Sequence, residues 1–443
     1  MAIFFIPLFQ FFYKVIDKVV RQKLCTNCGT CIPICPTRAI SYQRRKNNFE
    51  MRVDRDKCNK CGLCLKVCPG LGVDFENLNK DIFGKDKNKR YDSNLGYFIN
   101  CYLGYSKDKK LRFQCSSGGA VTSILIYLLK YKIIDGALVT TMDSREPLIA
   151  KSFIAYNEKD VIKAKGSKYT PVALNECLAE IIKSKNKKFA VVGLPCHIHG
   201  IRKFQQINPI LKRKIIVCLG LMCGQGVNIS GTRFILKQLK VKASEVKNIQ
   251  YRGEGWPGYI KAIKKNGQIK ITPYLEAFKT FTLGFFTPER CFLCTDLTNE
   301  LADISFGDSW IPKLMKNNNG VNFIITRTQV GQELINKVKK DICYRPASPN
   351  LVIESKKIRL FFKKDSHQLL AIIARVLGFG TSGNNIKSRI TPLSVFVIFT
   401  YLNSVLSNKY PDFFLKIPLF IWKLPLLTYR KSLNIYKKMI IKP

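Results

Sequence analysis

At 443 residues the chain is long enough for two or three domains, and its 46% hydrophobic and 23% charged residues exclude a largely disordered protein. No apolar run reaches the roughly 18 to 20 uncharged residues of a simple membrane-spanning helix, which excludes a polytopic membrane protein. The 74 Lys and Arg outweigh 30 Asp and Glu, and the net charge of +44 suits nucleic acid, anionic lipid or acidic partners, or reflects a general preference for Lys, Asn and Ile. No nucleic-acid-binding fold or zinc-finger spacing accompanies that charge, so no nucleic-acid partner is expected.

Residues 1–22 pair an apolar stretch, MAIFFIPLFQFF, with a basic one, DKVVRQK. Met1 to Phe12 lacks a basic leader and a small-residue cleavage site, so no signal peptide is expected there. The segment is too short to span a bilayer and suits its surface or a core groove.

Residues 23–75 form a compact cysteine unit with an internal repeat. Cys25, Cys28, Cys31 and Cys35-Pro36 follow C-x2-C-x2-C-x3-C-P, and Cys58, Cys61, Cys64 and Cys68-Pro69 repeat it. This is the spacing of bacterial two-cluster ferredoxins, in which three thiolates of one motif hold a 4Fe-4S cluster and the fourth ligates the other. Cys25, Cys28, Cys31 and Cys68 are therefore expected to hold one cluster, and Cys58, Cys61, Cys64 and Cys35 the second. Gly29 and Gly62 stand where each loop must curl. Zinc would favour paired C-x2-C in one closed site rather than two runs of four. Such tight groups in a long chain indicate a reducing compartment, hence a cytoplasmic protein.

Residues 76–95 are polar and read as a linker. From 96 to 350 strand and helix signals alternate. Apolar positions recur with helical spacing over 119–131, while Phe189 to Gly193 and Ile215 to Leu219 are continuous apolar runs typical of buried central strands. Ala137 to Thr141, Ile304 to Phe306 and Phe323 to Thr326 are further strand candidates. The expected fold is an α+β ferredoxin-like dicluster domain followed by an α/β domain with a largely buried mixed sheet.

Gln114-Cys-Ser-Ser-Gly-Gly119 leads into the first of these helices and offers free amides, either as a phosphate cradle or as an ordinary helix cap. Gly193-Leu-Pro-Cys196 and Gly220-Leu-Met-Cys223 follow two strands, where ligands bind in open α/β sheets. Cys291-Phe-Leu-Cys294 adds another C-x-x-C, followed by Ala302 to Trp310 (ADISFGDSW).

Together SSGGAVTSIL, KGSKYTP (Lys165 to Pro171), GLPCHIHGIR, YRGEGWPG (Tyr251 to Gly258) and ADISFGDSW resemble the family of coenzyme F420 hydrogenase and dehydrogenase beta subunits over roughly 98 to 345. The resemblance implies FAD beside a third 4Fe-4S cluster. Carried onto this chain, it gives Cys196, Cys223, Cys291 and Cys294 as cluster ligands. Cys218 competes with Cys223, whose Gly224 neighbour and place past the strand favour it. For FAD it points to Ser116, Ser117, Gly118 and Gly119, with Lys165, Ser167, Lys168 and Tyr169 nearby. His197 is the candidate for proton transfer, because histidine titrates near neutrality, and His199 is read as packed. Asp303 and Asp308 fit either a ligand contact or a turn. Cys101, Cys177 and Cys343 read as small buried apolar residues, and Cys115 as a neighbour of the flavin.

Residues 351–443 form a basic amphipathic C-terminal region, with FFLKIPLFIWKLPLL mixing bulky apolar residues and lysines. With the N-terminus it reads as peripheral attachment to the inner face of an anionic membrane, or as a docking surface. The expected activity is an iron-sulfur flavoprotein oxidoreductase working between an electron-carrier protein and a small organic substrate. The alternative is an electron-relay subunit whose chemistry lies in a partner chain. No residue selects the substrate.

Overall fold

A computed structural model describes residues 15–45, 48–84, 89–316, 318–381, 392–419 and 421–422. The apolar stretch Met1 to Phe12 and the end of the tail from 423 lie outside the described residues.

In the cysteine unit, the hairpin β1 (Ile40–Arg45) and β2 (Asn48–Val53) lies between the two motifs. Each motif enters a single helical turn, Cys31–Ile34 or Leu63–Lys66. Gly29 and Gly62 have φ of +84° and +75°, a conformation in which any other residue would be strained.

The stretch expected to be a linker is folded. Asp74 caps a Phe75–Phe83 helix by accepting the Asn77 amide, and Leu78 and Phe83 are buried. β3 (Arg90–Asp92) and β4 (Gly96–Phe98) follow as a hairpin, with Leu95 and Phe98 buried. A few well-spaced apolar residues suffice to anchor a segment that is otherwise polar.

The second domain is built on β5 (Asn100–Ser106), β6 (Gly136–Met142), β7 (Ala150–Ala155), β8 (Phe189–Gly193) and β9 (Ile215–Leu221). A separate antiparallel sheet, β10 (Val246–Gln250), β11 (Tyr259–Lys264) and β12 (Ile269–Pro273), interrupts it. β13 (Ile304–Asp308), β14 (Asn322–Thr326) and β15 (Ile342–Pro346) complete the main sheet. Its order is β15-β5-β14-β13-β9-β8-β6-β7. The central four strands are parallel and both flanks antiparallel, the mixed sheet expected.

Both faces are covered, which explains the continuous apolar runs of β8 and β9. Ala137 and Val139 face the Ala120–Lys130 helix, where Ile124, Leu125 and Leu128 are buried. Leu138 and Val191 face the opposite layer, in which Ile198, Ile201 and Phe204 of the Pro195–Ile207 helix pack with Val67 and Leu78. The cysteine unit thus shares a core with the second domain.

The tail continues as helices Pro349–Leu360, His367–Val376, Pro392–Lys409 and Pro411–Lys416, with a π-helical turn at Phe361–Asp365. Among the described residues no helix is long and apolar enough to cross a membrane.

Candidate functional site

Cys35, Cys58, Cys61 and Cys64 line one cavity with Val15, Ile40, Val53, Asn59 and Gly62. Cys61 is exposed, so this group lies at the surface. The Ala39 amide donates to Cys35 Sγ at 3.3 Å, the kind of contact that stabilises a thiolate.

Cys25, Cys28, Cys31 and Cys68 form the deeper group. Burial pushes the Cys31 thiol well up, and Cys28, Cys25 and Cys68 push it further. Cys68 is raised to about 11 by burial and then by Cys28. Cys25, Cys31 and Cys68, crowded in a dry interior, resist ionisation unless a positive centre compensates them, as cluster iron does, so this donor set fits a cluster. Cys64 also acts on Cys31, so the two groups adjoin.

A third group gathers at the carboxyl ends of the parallel strands. Cys196 opens the helix after β8, Cys223 follows β9, and Cys291 lies within the 3-10 turn Glu289–Leu293 that Cys294 ends. Burial raises the Cys196 thiol, followed by Cys28 and then Cys223, Cys291 and Cys294. Cys28 belongs to the deeper group, so the third group neighbours the deeper one. Cys218 lies elsewhere: its amide donates to Asp303 Oδ2 at 2.7 Å, and its electrostatic neighbours are Arg202 and Asp303.

Side chains that no motif marked build this region. Asn299 Nδ2 donates to Gly193 O (2.9 Å) and Leu221 O (3.2 Å), tying together the ends of β8 and β9. Asp296 accepts from the Asn299 and Glu300 amides and pairs with His199 Nε2 at 2.8 Å. Burial alone would raise the Asp296 carboxyl, but His199 holds it well below the usual range. Burial likewise opposes the Lys363 charge, yet Cys294, Cys223 and Cys291 hold its ammonium above the ordinary value. Gly226 N donates to Cys291 Sγ at 3.3 Å.

The domain junction is polar and close. The Asn175 amide donates to Cys28 O (2.9 Å), while its side chain donates to Thr30 Oγ1 (2.8 Å) and His197 O (2.9 Å). Lys203 Nζ donates to Cys68 O (2.9 Å), and Arg290 donates to Gly70 O and Pro69 O (both 3.1 Å).

The proton-transfer expectation for His197 needs correction. Its Nδ1 accepts the Leu194 amide at 3.2 Å and its Nε2 lies 3.3 Å from Val172 O. Burial lowers its pKa to about 4, so the ring stays neutral and serves the helix start that carries Cys196. Asp303 is also structural, bonded to Arg202 Nη2 at 3.0 Å and Thr328 Oγ1 at 2.9 Å.

The residues expected around FAD divide. Ser116 Oγ accepts from Ser167 N (2.7 Å) and Ser167 Oγ (2.9 Å), and Lys165 Nζ donates to Gln114 Oε1 at 2.7 Å. Lys168 donates to Ala164 O, Lys165 O and Gly166 O, and burial lowers its pKa to about 7. Ser117, Gly118 and Gly119 face another way. Ser117 Oγ donates to Val321 O, and a Cβ on Gly118 would sit 2.6 Å from Asn322 Oδ1. Their glycines allow close packing on β14, so the expected open cradle at 117–119 is filled by the protein itself. Tyr169 joins an aromatic cluster, its hydroxyl donating to Tyr274 Oη at 3.2 Å and its ring 4.5 Å from that of Phe278.

Arg252, from the Tyr251 to Gly258 stretch, lies beside this loop. A Cβ on Gly166 would lie 3.8 Å from Arg252 O and 3.9 Å from Ser116 Oγ. The guanidinium is buried, stacked 4.5 Å from Tyr274 and 4.8 Å from Trp256, and paired with Asp308 at 2.6 Å. Its Nε and Nη2 have no hydrogen-bond partner among the described residues.

Residues 101–179 match the family model described as coenzyme F420 hydrogenase/dehydrogenase, beta subunit N-term, and residues 186–350 match its C-terminus counterpart. The chain belongs to this family. Residues 24–70 match a 4Fe-4S dicluster domain, which contains all eight cysteines of the two motifs. This member of the F420 hydrogenase/dehydrogenase beta subunits is 26% identical over 338 residues to the coenzyme F420-dependent sulfite reductase of Methanocaldococcus jannaschii, covering 73% of the chain and 47% of that protein. The chain therefore spans about half that relative's length. It is 26% identical to the coenzyme F420 hydrogenase subunit beta of Methanosarcina barkeri, covering 56% of the chain and 82% of the relative. With a subunit of the F(420)H(2) dehydrogenase of Methanosarcina mazei it shares 25% identity, covering 74% and 86%. A chain of the F420-reducing [NiFe] hydrogenase complex from Methanosarcina barkeri has the same fold, with a TM-score of 0.51 and 23% identity over 66% of this chain and 98% of that one.

Proposed function

We propose that the chain is an iron-sulfur flavoprotein oxidoreductase that moves electrons between a reduced carrier protein and a small organic substrate. Cys58, Cys61, Cys64 and Cys35 hold the outer 4Fe-4S cluster in this reading, and Cys25, Cys28, Cys31 and Cys68 the inner one. Cys196, Cys223, Cys291 and Cys294 hold a third. The observation that carries the proposal is the succession of neighbouring thiol groups, Cys64 acting on Cys31 and Cys28 on Cys196.

Clusters pass single electrons, and bound FAD would exchange them in pairs with the substrate. Ser116, Lys165, Ser167 and Lys168 are the proposed contacts for its phosphates. The two Arg252 nitrogens left without a hydrogen bond beside its Asp308 pair support an anionic group there, since a buried donor without an acceptor is costly. Ser117, Gly118, Gly119 and Tyr169 hold the surrounding backbone and aromatic wall. His197 is a positioning residue for Cys196. The reading places the protein in the cytoplasm, with its basic tail on the inner face of the membrane.

A second reading, the electron-relay subunit, is favoured by relatives that are themselves called subunits. Chemically reduced viologen separates the two. The isolated chain is expected to bleach its flavin band and then turn over an organic acceptor, with coenzyme F420 among those offered. Flavin-free protein that only passes electrons to another protein would overturn the enzyme reading.

A further inference from the structure

The Pro392–Lys409 helix is amphipathic in reverse. Its inward face is largely polar: Ser404 Oγ donates to Thr287 O (2.7 Å), Asn403 Nδ2 to Leu283 O (3.0 Å), and Ser407 Oγ accepts the Phe286 amide (2.9 Å). These bonds satisfy backbone groups just before the Cys291 turn, while the Tyr401 ring packs 5.3 Å from Phe292.

Its outward face is apolar. Val395 is 72% exposed, Phe399 43% and Leu406 46%, and with Leu402 they recur at steps of four, three and four. Val376 at the end of the His367–Val376 helix is 80% exposed, and Phe413 on the next helix 64%. The one charged residue in Pro392–Lys409 is Lys409 at its end. A stripe of this kind marks an interaction surface rather than a wet one.

Charge identifies the occupant. From residue 366 onward the sequence has eleven Lys and Arg against a single acidic residue, Asp412. Arg375, Lys409 and Lys416 stand on the helix that carries the stripe and its neighbours. An apolar stripe in so basic a segment matches an anionic bilayer interface, in which a helix lies in the plane with its apolar side down.

We propose that the outward face of the Pro392–Lys409 helix, with Val376 and Phe413, seats on an anionic membrane surface. This deepens the peripheral location proposed above and rests on that reading, but on none of the cofactor assignments.

The test uses the full-length protein and vesicles of phosphatidylcholine, with or without phosphatidylglycerol. Flotation is expected with the anionic vesicles at low salt, with little on pure phosphatidylcholine. The double variant Phe399→Ser/Leu406→Ser is expected to lower the bound fraction at least tenfold with unchanged iron content and melting temperature. Because Val395 is so exposed, Val395→Trp should keep the fold, and brominated lipid in the anionic vesicles should quench its added emission. Three results would overturn the proposal: no flotation, flotation untouched by the double variant, or a wild-type dimer that the double variant converts to monomer. Iron and flavin are measured on the same sample, so a failed cofactor reading with intact flotation is distinguishable from a failed membrane contact.

Discussion

The two cysteine regions solve one problem by different means. In the dicluster unit, eight cysteines fall within residues 25–68, and short loops with left-handed glycines shape both groups. Its outer group stays near solvent, with Cys61 exposed. The third group is assembled from three segments spread over almost a hundred residues and lies beneath Lys363 and the tail helices. Local spacing builds a surface site suited to exchanging electrons with a carrier. A site assembled from distant segments needs a sheet and the Asn299 and Asp296 braces.

That contrast can be broken most severely at Cys291. Cys291→Ala is expected to lower iron from about twelve to about eight per chain and to slow viologen-driven flavin reduction by at least about a hundredfold. The dicluster signal in electron paramagnetic resonance should persist. If Cys291→Ala also loses that signal, the two regions are one cooperative unit.

The exposed rim gives the next largest effect. Lys60 and Lys66 are exposed beside the outer group. With an acidic carrier, Lys60→Glu/Lys66→Glu should cut the reduction rate roughly tenfold at low ionic strength, and the difference should vanish in high salt. An unchanged rate would move carrier docking to another face.

In the second domain, Lys168 links pH to ligand binding. Burial depresses its pKa to about 7, so above that value the ammonium is lost in the ligand-free protein. A bound anion favours the protonated form and raises the pKa. FAD affinity should therefore weaken as pH rises, by roughly tenfold between about pH 6.5 and 8.5. Titrations with Lys168→Met should be flat over that window.

The smallest effect sharpens the boundary between the regions. Asp74→Ala removes the cap of the Phe75–Phe83 helix and should cost about 1 kcal/mol in thermal unfolding while leaving iron content unchanged.

Much of this was legible in the residues, for identifiable reasons. The two cysteine motifs are local, and β8, β9 and the Ala120–Lys130 helix carry uninterrupted or periodic apolar residues. The third group was reachable through a family resemblance, because nothing local ties Cys196 to Cys291. The filled surroundings of Gly118 depend on Asn322, two hundred residues away. Asp296 is buried and bonded, yet in a chain rich in charge it reads like a surface residue. The sequence marks the tail only as basic and amphipathic, and composition is silent on which face of the Pro392–Lys409 helix turns inward.

The most direct test of the whole account is a count of iron, acid-labile sulfide and flavin on one anaerobically purified sample of the full chain. Three clusters and one FAD predict about twelve iron, about twelve sulfide and one flavin per chain. About eight iron without flavin would leave the dicluster unit standing and contradict the proposed path into the second domain.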